Sequence, residues 1–152
     1  MNFSKIILVS DTPKDVGLAY YYSLALKDII NVNDVYLIDN FLIQWKYFKI
    51  FNRYINYLFN IFNLKSKKIF IEIKNKFTAN DSVIIIFFNN GGLNTKYFNK
   101  LKKIDNLYLV NFLSDHPYGL QKSQHYILKE SAHIFDLFIS FSTTINPILY
   151  RF

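Results

Sequence analysis

Ser82-Val-Ile-Ile-Ile-Phe-Phe88, closed by Asn89-Asn-Gly-Gly92, is the stretch on which the fold turns. Its unbroken apolar run leaves no polar face for water, as in a central parallel strand covered on both sides. Similar runs recur along the chain. Lys5-Ile-Ile-Leu-Val-Ser10 ends at the turn Asp11-Thr-Pro-Lys-Asp15, and Val35-Tyr-Leu-Ile38 ends at Asp39-Asn40. Leu107-Tyr-Leu-Val-Asn-Phe112 runs into Ser114-Asp-His-Pro-Tyr-Gly119, and Leu137-Phe-Ile-Ser140 into Ser142-Thr-Thr144.

Helical spacing fills the gaps between these runs. Leu18, Tyr22, Leu24, Leu26 and Ile29 predict a helix over about 16–30 with Asp15 as its cap, and further helices are predicted over 95–103 and 120–132. Strands alternating with helices predict a parallel sheet of βαβ units, and right-handed crossovers put helices on both faces. The expected fold is therefore α/β, a Rossmann-like open parallel sheet of about five strands in the order 2-1-3-4-5.

Residues 41–80 depart from that rhythm. Leu42, Trp45, Phe48, Phe51 and Ile55 share one helical stripe, continued by Leu58 and Phe62 and broken at Lys65 to Lys68. Beyond it, residues 69–77 read either as a second helix or, from the alternation of Phe70, Glu72 and Lys74, as an edge strand.

This insertion also carries the charge. The chain has a formal net charge of +7, and 41–80 holds Lys46, Lys49, Arg53, Lys65, Lys67, Lys68, Lys74 and Lys76 against Glu72 alone. The remaining ten basic and ten acidic residues cancel. A basic, aromatic helix with Trp45, Lys46, Lys49 and Arg53 is suited to an anionic membrane surface or a protein partner. The competing reading makes the stripe core and the lysines a solvated face, and AT-rich coding would enrich Lys, Asn, Ile, Phe and Tyr by itself. Nucleic acid is disfavoured as a partner, because no RNP, KH or helix-turn-helix pattern accompanies the basic residues.

Composition excludes other classes. The 152 residues fit one domain, and 51% apolar with 19% aromatic content is incompatible with disorder. The absence of cysteine removes disulfides, thiolate catalysis and Cys-based zinc sites. His116, His125 and His133 follow no metal-ligand spacing, so no metal is expected. The apolar run before Asp11 is too short for a signal peptide, and no apolar stretch is long enough to span a bilayer. The expected compartment is the cytoplasm, with the inner face of the membrane as a surface for peripheral contact.

In open parallel sheets ligands bind beyond the carboxyl ends of the strands, where the strand order reverses. For the order 2-1-3-4-5 that crevice lies between the first and third strands. Asp11, Thr12 and Gly17 then line one side, Asn90, Gly91 and Gly92 the other, and Asp115 to Gly119 lies next along. Gly17 precedes a helix whose free N–H groups favour anions, yet 11–17 is neither G-x-G-x-x-G nor a Walker A loop. An ordinary βα turn is the favoured reading of 11–17, and a turn needing positive φ that of Asn90-Gly91-Gly92. Asp115, His116 and Tyr118 group an acid, an imidazole and a phenol, the types that general acid–base catalysis uses. A Pro-Tyr-Gly turn with Asp115 bonded to its own backbone accounts for the same residues. A phosphorelay receiver is excluded, because the third strand ends in Phe87-Phe88-Asn89-Asn90 with no carboxylate.

The stretch from Asn80 to Gly92, then Leu101-Lys-Lys-Ile104, Leu109-Val-Asn-Phe112 and Asp115-His-Pro117, resembles the N-terminal domain of spore-maturation (CgeB-type) glycosyltransferases of the GT-B fold. Asp136 to Ser142, followed by the segment bearing Asn146-Pro147, is similar to that domain's last strand and helix. Lys5 to Ser10 with Gly17-Leu-Ala-Tyr-Tyr21 resembles its first strand and helix. One departure is local: Asp115-His116-Pro117 stands where the family commonly has Asp-Asp-Pro.

The resemblance implies a single domain over 1–152 that holds a glycan, protein or lipid-linked acceptor, with Asp115 or His116 as the base for its hydroxyl. It implies no cofactor on this domain. The nucleotide sugar would belong to a donor-binding domain or subunit, and this half alone would be inactive in sugar transfer.

Overall fold

The computed structural model describes residues 3–10, 17–29, 34–39, 64–89, 93–113 and 130–140. Each expected apolar run within them is a strand: β1 Lys5–Ser10, β2 Val35–Asp39, β3 Val83–Phe88, β4 Leu107–Leu113 and β5 Leu137–Ser140. They form one sheet in the order β2-β1-β3-β4-β5, and every pairing is parallel. The expected order is the observed one. Register runs through the apolar positions, with Leu8 opposite Leu37 on one side and Ile86 on the other.

Three helices are described: α1 Leu18–Ile29, α2 Leu64–Lys74 and α3 Thr95–Lys102. Alternate side chains of the strands enter two separate cores, as the period of two requires. On one face Ile7, Val9, Val83, Ile85, Phe87 and Leu109 pack with Ile69 and Ile73 of α2 and Tyr97, Phe98 and Leu101 of α3. The opposite face gathers Ile6, Leu8, Val35, Phe88 and Phe112 around Ala19 of α1, with Leu26 and Leu37 against them. Aromatic rings stiffen the first core. Phe98 meets Phe87 and Phe135 edge-on, with ring centroids 4.9 Å apart in both pairs.

Two readings left open or misassigned by the pattern are decided here. The start of the 69–77 segment is helical rather than an edge strand, since α2 buries Ser66, Ile69 and Ile73 at i, i+3 and i+7. The second helix, expected from Ile69, begins at Leu64, so Lys65 to Lys68 lie within it. On α1 the face toward the sheet is Ala19 and Ser23, whereas Leu18, Tyr22 and Leu24 are exposed. Small residues let the helix backbone approach the sheet closely, and the larger apolar side chains then lie along its flanks. The stripe from Leu42 to Phe62 and most of the helix expected over 120–132 lie outside the described residues; that helix's last residues lead into a 3-10 turn, Ala132–Ile134.

Two carboxylates far apart in sequence pin where strands begin. Asp81 accepts hydrogen bonds from Lys5 Nζ at 2.9 Å, Thr78 N at 2.7 Å and Thr78 Oγ1 at 2.9 Å. It thereby ties the start of β1 to the turn before β3. These donors, Lys5 first, hold the Asp81 carboxyl well below the usual range, and the same bond pushes the Lys5 ammonium up. At the edge strand β5, Asp136 accepts from Leu109 N at 2.8 Å and pairs with Lys102, while its own N–H donates to the Leu109 carbonyl at 2.8 Å. That double link sets where β5 begins along β4.

Candidate functional site

The strand order fixes where the two crossovers part. α1 leaves β1 toward one face of the sheet, and α3 leaves β3 toward the other. β1 and β3 are adjacent, so the chain diverges between their carboxyl ends and opens the crevice in which such sheets bind ligands.

Of the residues expected to line it, Gly17 is described. Its φ of 127° is a conformation that a β-carbon would strain, and its carbonyl accepts Tyr20 N at 3.2 Å. Gly17 therefore serves the turn into α1. Asp11, Thr12, Asn90, Gly91, Gly92, Asp115, His116 and Tyr118 lie outside the described residues, as do Trp45, Lys46, Lys49, Arg53 and His125. His133 lies in the 3-10 turn and is exposed.

What the described residues add is an aromatic lip. Tyr22, in the second turn of α1, sets its ring 5.7 Å from that of Phe88 and 5.5 Å from that of Phe112. Phe88 is the last residue of β3 and Phe112 the last but one of β4, and their rings are 5.3 Å apart. The three rings thus meet at the carboxyl edge on the α1 side. Tyr21, the preceding residue on α1, is 63% exposed and sets its ring 5.5 Å from that of Tyr20, away from this cluster. Asn89, with φ 51°, follows β3 in the left-handed region that asparagine tolerates. From sequence, Tyr22 is one of the apolar positions whose spacing predicts the helix. The signal for the lip is tertiary, since Tyr22 is 66 and 90 positions from its two ring partners by residue number.

The loop between β3 and α3 is anchored where it meets the helix. Asn94 caps α3, its side-chain oxygen accepting Tyr97 N at 3.4 Å, while its own N–H donates to Ser66 Oγ of α2 at 3.2 Å. That bond holds the α2 and α3 N-termini together beside the rim.

Among the described residues no group of three His, Asp or Glu side chains is placed to hold a metal ion. No helix among them is long and apolar enough to cross a membrane. A shallow depression of about 280 Å³ lined by Lys5, Tyr36, Asn75, Lys76, Phe77 and Thr78 lies at the amino end of the sheet, opposite the crevice. Comparison with protein-family models, curated proteins and solved structures finds no match to this chain.

Proposed function

We propose that this domain binds the acceptor of a glycosyl transfer in the crevice between the carboxyl ends of β1 and β3. The reversal of strand order at β1 and β3 carries the location, because it leaves a groove whose walls belong to different crossovers. Fold alone assigns no chemistry, since many activities share such sheets. The acceptor assignment rests on the resemblance of the runs at 80–92, 101–104, 109–112 and 115–117 to GT-B N-terminal domains. The lip formed by Tyr22 suits a sugar-bearing acceptor, offering an apolar ring face with a hydroxyl tip. In this reading Asp115 or His116 removes the acceptor proton, and a separate domain supplies the nucleotide sugar.

The test is titration of the chain with glycans, glycopeptides and nucleotide sugars, followed by transfer assays with a donor-binding domain added. Glycan binding weakened by Tyr22→Ala, with transfer lost in Asp115→Ala or His116→Ala, is the expected pattern. Tight binding of a nucleotide sugar without any glycan binding would overturn the acceptor assignment. Full transfer by both Asp115→Ala and His116→Ala would remove them from the reaction.

A further inference from the structure

We propose that the outer face of α2 and α3 docks this domain onto an anionic lipid surface. This inference does not depend on the crevice. Lys67, Lys68 and Lys74 on α2 and Lys96, Lys100 and Lys103 at α3 are all exposed, and both helices cover the same face of the sheet. Little acid opposes them. Among the described residues Glu72 is half-buried, Asp136 is engaged by Lys102 and Asp81 by Lys5, which leaves Asp105 in the turn after α3 and Glu130, which accepts a hydrogen bond from Thr95 Oγ1 at the start of α3. On the opposite face, α1 carries Lys27 and Asp28, which cancel.

The kind of anion follows from what lies among the lysines. Leu64 and Ile71 are 42% and 46% exposed, and with Lys67, Lys68 and Lys74 they form one stripe at helical spacing on the outer side of α2. Aliphatic side chains flanked by long ammonium arms suit a lipid interface, where the arms reach headgroups and the aliphatics enter the acyl boundary. A nucleic acid would instead call on bare rings and guanidinium forks. The rings here are already covered: Lys74 lies 6.0 Å and Lys100 5.7 Å from the Phe70 centroid, and Lys100 lies 5.1 Å from that of Tyr97. Among the described residues every cation on this face is a lysine, a point charge suited to diffuse headgroup charge.

Flotation of the chain with phosphatidylcholine vesicles, with and without phosphatidylserine, tests the proposal. Binding is expected only with phosphatidylserine, and it should fall as salt is raised. Each lysine removed should weaken it about fivefold, so Lys67→Gln, Lys68→Gln and Lys74→Gln together should cost on the order of a hundredfold. Ile71→Ser should weaken binding while leaving its salt dependence unchanged, and Lys27→Gln on α1 should change nothing. Circular dichroism confirms that each variant keeps its helices. Equal binding to neutral vesicles, or none to either, overturns the proposal. Undiminished binding by the triple variant also overturns it and moves the contact elsewhere, 41–63 included. So does a single-stranded oligonucleotide or an acidic peptide that binds more tightly than the vesicles and ignores Ile71→Ser.

Discussion

Replacing Ile73 by alanine and, separately, Ile71 by alanine separates the helical reading of α2 from a strand. In a strand, 69, 71 and 73 share a face, and the two substitutions would cost alike. In the helix Ile73 is fully buried and Ile71 is 46% exposed. Ile73→Ala removes three carbons, about 2.4 kcal/mol at about 0.8 kcal/mol each, before any cavity is counted. The cavity between α2 and the sheet brings the expected loss to about 3 kcal/mol, within the range of about 2–5 for such changes. At about 2–4 °C per kcal/mol for a chain of this size, the melting temperature should fall by roughly 6–12 °C. Ile71→Ala leaves no cavity, and alanine's helix propensity offsets part of the lost contact, so the change should stay under about 1 kcal/mol. Thermal unfolding followed by circular dichroism measures both. Equal losses at 71 and 73 would refute the helix, and with it the outward stripe on which membrane docking depends.

Two further outcomes follow from the packing. Ala19→Leu should cost about 1–3 kcal/mol by forcing α1 off the sheet, whereas Leu24→Ser should stay within about 0.5 kcal/mol; a reversed order in denaturant titration would restore the stripe that includes Leu24. Asp81, its pKa lowered, stabilises the fold fully above the ordinary carboxylate value of about 3.9, and this contribution is lost as pH falls through its folded value. Asp81→Asn should therefore be less stable than the parent near neutrality, with the gap closing below about pH 4; a gap that stays constant into stronger acid would show that Lys5 and Thr78 do not set it.

The carboxyl edge was legible before any coordinates because it follows from strand order, and strand order from where apolar runs and polar turns alternate. Asn89 and Gly17 could be placed beside β3 and β1 on that basis alone. The aromatic lip was not legible. Tyr22 has the spacing of a core residue, and nothing local says that its ring leans on Phe88 and Phe112 instead of entering the centre of the sheet. Asp81 and Asp136 were equally silent, because their partners Lys5 and Leu109 are 76 and 27 residues away.

By itself the sequence determined that this chain builds a parallel sheet and where its excess charge resides. Apolar runs need cover on both faces, and lysines without acidic neighbours remain basic in any fold that keeps them in water. Only the tertiary structure decided the period of 64–74, the residues by which α1 meets the sheet, and the face on which the described lysines gather. Those depend on how closely two surfaces approach, which is set by both partners at once: Ala19 is buried because β1 and β2 lie under it, and Ile71 is exposed because Ile69 and Ile73 are already turned inward.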